Sequence, residues 1–204
     1  MISHKHKFIF IFQHKCGGST IQTALRMYDK WNMAFHRGVL SEEYKNNELE
    51  KYKDYFIFTT QRNPYERVVS AWTYLQKDFP DHRKIKRTFK KGLSLKDTLR
   101  NLPKYKKDAE FWSSHDYVHI TENQVDTILD DSGKSITSMN IRLENIQEDF
   151  NTICDKIGIP RQELPHKNPS KHLKYTEYYD DETKQLVEEK YARDIEYFGY
   201  KFGE

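Results

Sequence analysis

The sequence predicts an α/β fold, a single domain with a central parallel sheet flanked by helices, because two stretches of the chain repeat one plan. In each, a short apolar run closes on a polar turn and reopens at helical spacing. The first is "FIFIFQHKCGGSTIQTAL", residues 8–25. Its aromatic and β-branched run Phe8 to Phe12 reads as a buried strand, and Ile21, Ala24, Leu25 and Tyr28 fall at i, i+3, i+4 and i+7 of a helix. Ser19 with Gln22 three residues on has the form of a capping box. The second is "YFIFTTQRNPYERVVSAW", residues 55–72. A strand is read at Tyr55 to Phe58, followed by a helix with Asn63 as cap, Pro64 in its first position, Glu66 closing a capping box, and Val68, Ala71, Trp72 and Leu75 as the buried stripe.

The remaining elements support this core. Phe150, Ile153, Cys154 and Ile157 make a helical stripe that Gly158 and Pro160 end, and Val187, Tyr191, Ile195 and Phe198 make another, capped by Asp180 or Asp181 and ended by Gly199. A length of 204 residues suits one α/β domain with a real core and leaves no room for two. Only 36% of residues are hydrophobic, so aromatics, among them 14 Tyr and 12 Phe, must supply much of the buried area. Cys16 and Cys154 have no metal-ligand spacing and make no disulfide framework. With no run near the roughly 18 apolar residues of a membrane span and no apolar leader, the expected location is cytoplasmic.

Charge is regional. Residues 82–107 carry eleven Lys or Arg against one acid, Asp97, a local balance of +10 inside a chain whose net charge is +3. This stretch reads either as a solvated helical pair, with Ile85, Phe89, Leu95, Leu99 and Leu102 inward, or as a track for an anionic polymer such as an acidic polysaccharide. Few aromatics for base stacking and no nucleic-acid module argue against nucleic acid as the partner.

The chemistry lies in the two turns. A strand, glycine turn and helix aim unpaired N–H groups and the positive end of a helix dipole at one point, which suits an anion. Gly17 and Gly18 let a ligand approach the backbone, Lys15 adds a charge, and Ser19 and Thr20 add hydroxyl donors. A glycine pair before a helix also serves as a plain tight connection. A nucleoside triphosphatase loop would place the lysine after the glycines, whereas Lys15 precedes them. Arg62 ends the second strand and Ser70 sits in the second turn of the helix that follows, giving a second anion-binding point at the carboxyl end of a neighbouring strand.

"HKCGGST" resembles the 5′-phosphosulfate loop of sulfotransferases, usually Pro-Lys-Thr-Gly/Ala-Gly-Thr-Ser, and "RNPYERVVSAW" resembles their 3′-phosphate motif, Arg-Asn-Pro-Tyr-x-Arg-x-x-Ser. "IRLENIQEDF" and the segment from "HKNPSKHLKY" to "EYFGYKF" are similar to the Golgi carbohydrate sulfotransferases and their bacterial relatives. His14 stands where the family usually has proline, and Cys16 where it has threonine. The resemblance implies a P-loop-kinase-like sulfotransferase fold over residues 1–204, with a basic helical insertion at about 76–110. It also implies the donor 3′-phosphoadenosine-5′-phosphosulfate (PAPS), with no metal. Lys15, Gly17, Gly18, Ser19 and Thr20 would hold the phosphosulfate, and Arg62 and Ser70 the 3′-phosphate.

A hydroxyl acceptor, on this resemblance a carbohydrate, needs a base. Histidine is the usual choice, and the family's base commonly lies between the two cofactor motifs, which implies His36 in "MAFHRGVL", with His115, His119 and Glu144 in reserve. Lys15 would stabilise the leaving group. Gln124 fits the family's usual glutamine, substrate-side or structural, and Asn168, Ser170 and Lys171 fall in a loop near the nucleotide. Two other classes compete: a nucleoside or nucleotide kinase-like phosphotransferase, which would need Mg²⁺ and a lysine after the glycines, and a non-catalytic polyanion-binding protein, which would keep the basic stretch alone.

Overall fold

The computed structural model describes residues 1–26, 52–76, 92–105, 119–165 and 173–204. Tyr28, His36, Ile85, Phe89, His115, Asn168, Ser170 and Lys171 therefore lie outside the described residues. The chain divides into two compact units, Met1–Arg62 with Gln124–Pro169, and Asn63–Asn123 with Ser170–Glu204.

The first unit carries the sheet, in the order β1 (Ile2–Ser3), β2 (Phe8–Ile11), β3 (Phe56–Gln61), β4 (Met139–Arg142). The expected parallel core is present, β2 beside β3 beside β4, and β1 adds an antiparallel edge with Ile2 opposite Ile9. Alternation sorts the side chains. Phe8, Phe10 and Phe58 face one side, where they meet Ile21, Ala24 and Leu25 of α1 (Gly18–Leu25) and Phe150, Ile153, Cys154 and Ile157 of α4 (Ile146–Ile157). Ile9, Ile11 and Ile57 face the other, with Tyr52. The Phe10 and Phe58 ring centroids lie 5.2 Å apart, within aromatic contact range. Gly158, left-handed at φ 70°, ends α4 as the sequence predicts.

Strand boundaries differ from the hydropathy reading for a physical reason. Thr59, Thr60 and Gln61 remain in β3 although polar; all three are buried, and the Thr59 hydroxyl donates to the Ile11 carbonyl across the sheet at 2.7 Å. The Ser19–Gln22 capping box is a correction. The cap is Gly17, and Ser19 already lies inside α1.

The second unit is helical: α2 (Pro64–Leu75), α3 (Leu95–Tyr105), α5 (Asp181–Lys190) and α6 (Ala192–Phe198). Asn63 caps α2, accepting from the Tyr65 N–H at 3.1 Å rather than from the third helical position, with Pro64 first as expected. Val68, Ala71 and Leu75 pack against Leu95, Leu99 and Leu102 of α3 and Val187 and Tyr191. Asp180 caps α5 in a capping box with Thr183. The C-terminal stripe, which reads as one helix in sequence, is broken at Tyr191. That tyrosine is wholly buried, its hydroxyl donates to the Ile120 carbonyl, and the Arg67 guanidinium lies over its ring. Burial raises the Tyr191 pKa, so the hydroxyl stays a donor. Arg67 also donates to the Glu122 carbonyl and stands 3.9 Å from the buried Asp194, which makes this arginine part of the helical core. Among the described residues, no helix is long and apolar enough to cross a membrane.

The described part of the basic segment is partly neutralised from within. Lys96 pairs with Asp180 and, at 3.3 Å, with Glu182, while Arg100 donates to Glu182 at 2.7 Å. The Lys96 hydrogen bond holds the Asp180 carboxyl far below its usual range, and the Arg100 hydrogen bond lowers Glu182. A carboxyl depressed by folding contributes stability above its unfolded pKa of about 4 and loses it as pH falls through the folded value. Lys96→Met is therefore expected to lower the melting temperature at pH 7 by ~1–3 °C and to flatten its decline toward pH 2, as followed by circular dichroism. An unchanged acid profile would show that these pairs do not couple to folding.

Candidate active site

Parallel neighbours end at the same edge of a sheet, so β2 and β3 deliver their turns side by side. After β2 the chain runs through Gln13, His14, Lys15 and Cys16 to Gly17. Lys15 is left-handed at φ 65° and Gly17 at φ 78°. For a lysine that conformation costs on the order of 1–3 kcal/mol, so its surroundings must hold it. They do so from β3. Arg62, 7% exposed, donates from Nη1 to the Lys15 carbonyl at 3.2 Å.

The glycines have a reason that their sequence pattern conceals. A Cβ on Gly17 would stand 2.6 Å from Leu143 Cδ1, and one on Gly18 would stand 2.7 Å from the Phe12 ring. Their bareness lets the turn pack against its own unit, in addition to any ligand approach. Beyond Gly17 the helix starts without a side-chain cap; the Thr20 and Ile21 N–H groups turn back to the Gly17 carbonyl, while those of Gly18 and Ser19 meet no acceptor among the described residues. Ser19 is exposed, and Lys15 and Thr20 are half-buried. Two open N–H donors, a helix N-terminus and a lysine at one turn form a donor set matched to an anionic oxygen cluster.

Gln124 joins the two turns. It is 1% exposed, and its side-chain amide spans the Arg62 residue: Oε1 accepts from the Arg62 N–H at 2.9 Å and Nε2 donates to the Arg62 carbonyl at 2.9 Å. The same Oε1 accepts from the Cys16 thiol at 3.1 Å, and the Gln124 carbonyl accepts from Gln13 Nε2 at 3.2 Å. The hydrogen bonds close a ring through Gln124, Arg62, Lys15 and Cys16. The family resemblance implies a substrate-side or structural role for Gln124, but a lone glutamine before a short apolar turn gives no sign of this tie. Cys16 is wholly buried, as is Cys154, and both are free thiols.

The other expected residues fall as follows. Ser70 is 6% exposed on α2 in the helical unit. His119 is 8% exposed and its ring lies 4.8 Å from that of Tyr74. Glu144 is exposed in the short turn Leu143–Asn145 between β4 and α4. His36 and His115 are outside the described residues. Among the described residues no cluster of His, Cys, Asp or Glu could hold a metal ion.

The family model described as "Sulfotransferase family" matches residues 1–201. A crystal structure of a sulfotransferase from Alicyclobacillus acidocaldarius aligns at 17% identity over 96% of this chain and 81% of that one, with a TM-score of 0.43. No curated protein matches the chain. A match that runs through both turns and almost the whole length decides the family: the chain belongs to the sulfotransferases.

Proposed function

We propose that the chain moves the sulfuryl group of PAPS to a hydroxyl of a carbohydrate acceptor, in the cytoplasm, by in-line displacement. The observation that carries this reading is the pairing of Lys15 with Arg62 beside an uncapped helix N-terminus, within a chain of the sulfotransferase family. Bound PAPS would supply an activated sulfur whose bond to the bridging phosphate oxygen breaks as the acceptor oxygen adds. The residues of the turn then have distinct tasks. The Gly18 and Ser19 N–H groups and the Ser19 and Thr20 hydroxyls orient the phosphosulfate, and Lys15 stabilises the negative charge that grows on the leaving oxygen. Arg62 and Ser70 take the 3′-phosphate, and His36 accepts the acceptor's proton. Acceptor class is tested by labelled sulfate transfer onto a panel of glycans, small alcohols and phenols. Transfer to the small molecules alone would remove the carbohydrate.

Assignment of Arg62 to the 3′-phosphate predicts that adenosine 3′,5′-bisphosphate binds more tightly than AMP. Arg62→Ala should erase most of that difference, about ten- to hundredfold by calorimetry, the worth of one charged and desolvated contact. Equal affinity in the unmodified protein would remove the assignment.

Charge that develops mainly in the transition state makes Lys15 a kcat residue. Lys15→Ala should lower kcat by on the order of 10² to 10³ while nucleotide affinity falls far less. A loss of affinity at unchanged kcat would leave it a binding residue.

His36 as base requires its neutral form, so the rate should rise with pH through a pKa near the unperturbed ~6.5. His36→Ala should cut turnover by about 10² to 10⁴, abolish that limb and spare nucleotide binding. Retention of turnover and pH profile would move the role to His115, His119 or Glu144.

A further inference from the structure

We infer that Gln124 is a positioning residue that sets the Arg62 guanidinium and the Lys15 turn in register with each other. The inference rests on the assignment of Arg62 and Lys15 to the donor nucleotide made above. An amide that both accepts from the N–H and donates to the carbonyl of one residue fixes that residue's backbone as a strand neighbour would, at the place where β3 has run out of strand partners: Gln61 is the last residue paired, opposite Arg142. Arg62 is the next residue, and the Gln124 amide bonds both its N–H and its carbonyl. From that fixed backbone its Nη1 reaches the left-handed Lys15 carbonyl.

The second arm runs the other way. The Cys16 thiol donates to the Oε1 that also takes the Arg62 N–H, and Gln13 ties the glutamine's own carbonyl to the start of the same turn. Gln124 is itself anchored, since the Thr127 hydroxyl donates to its carbonyl at 2.7 Å, at the head of the short turn Val125–Thr127 whose Val125 is wholly buried. One residue therefore bonds to both of the turns assigned to the donor nucleotide. A polar side chain so deeply buried is costly unless fully bonded, and here both ends of the amide are used.

The test uses two readouts on the full chain with Gln124→Ala and Gln124→Glu. The first needs no nucleotide. Cys16 and Cys154 are both buried, so alkylation of each, resolved by mass spectrometry, reports local opening around it. Gln124→Ala should speed Cys16 labelling about tenfold relative to Cys154. Gln124→Glu, which keeps the acceptor for Cys16 and Arg62 but loses the donor, should fall between. Equal acceleration at both cysteines, or none at Cys16, would overturn the proposal, the first because it reports general loosening.

The second readout is the preference for adenosine 3′,5′-bisphosphate over AMP. Gln124→Ala should reduce it about tenfold in the native background and leave it unchanged in the Arg62→Ala background, the non-additivity expected when one residue acts through another. Loss of affinity for both nucleotides alike would overturn the positioning role. Absence of any preference in the unmodified protein would remove the donor assignment instead, and the cysteine ratio would still decide whether Gln124 holds the two turns.

Discussion

The parallel pairing of β2 with β3 is the constraint from which the site follows. Phe8 stands opposite Phe56 and Ile11 opposite Thr59, so the two strands end at one edge and their turns emerge together. The register is locked by chemistry on both faces. A shift of one residue would turn Phe8 and Phe10 away from α1 and α4 and bring Ile9 and Ile11 round in their place, exchanging aromatic for β-branched volume throughout the core. It would also separate the Thr59 hydroxyl from the Ile11 carbonyl. The distance between Lys15 and Arg62 is thus decided by the phenylalanines of the core beneath them in the strands.

At that edge the backbone leaves regular structure with its polar groups still to be satisfied, in a setting too buried for water to do it cheaply. The fold answers with side chains. Arg62 Nη1 takes the Lys15 carbonyl, and the Gln124 amide takes both peptide groups of Arg62. What remains open among the described residues is the donor side of the turn, the N–H groups of Gly18 and Ser19, since α1 starts without a side-chain cap. Were Ser19 the head of a capping box, the Gln22 side chain would take the Ser19 N–H, one of the donors the turn presents. Placing Gly17 there leaves the first turn bare, and the left-handed φ of Gly17 supplies the bend without a side chain.

Much of this was legible in sequence, for identifiable reasons. Apolar periodicity located β2, β3, α1, α2 and α4, because each buries a continuous stripe, and the Asn63–Pro64 start of α2 was readable because cap and first position have strong residue preferences. The extension of β3 through Thr59, Thr60 and Gln61 was not legible, since burial of polar strand residues depends on a partner carbonyl from another segment. Nor was the break at Tyr191, where a hydroxyl contact with Ile120, 71 residues earlier, competes with helical regularity. Gln124 shows the same limit at the site. Its residue type suits many roles, and only the meeting of Cys16 and Arg62 in space selects one.

The basic stretch shows how charge counted along the chain differs from charge presented by the fold. In sequence, residues 82–107 total +10, which reads either as a solvated helical pair or as a track for a polyanion. In the described portion, Lys96 and Arg100 turn to Asp180 and Glu182, acids that the count had assigned elsewhere, while Leu95, Leu99 and Leu102 face inward. Asp180 does double service, since the same carboxylate caps α5 through the Thr183 N–H. A capping carboxylate is already favoured in its ionised form by the helix N-terminus, so the lysine gains a partner whose charge persists into acid. For these two cations an acceptor polysaccharide would have to compete with an internal partner, so the local field felt by such a polymer is weaker than the sequence total implies.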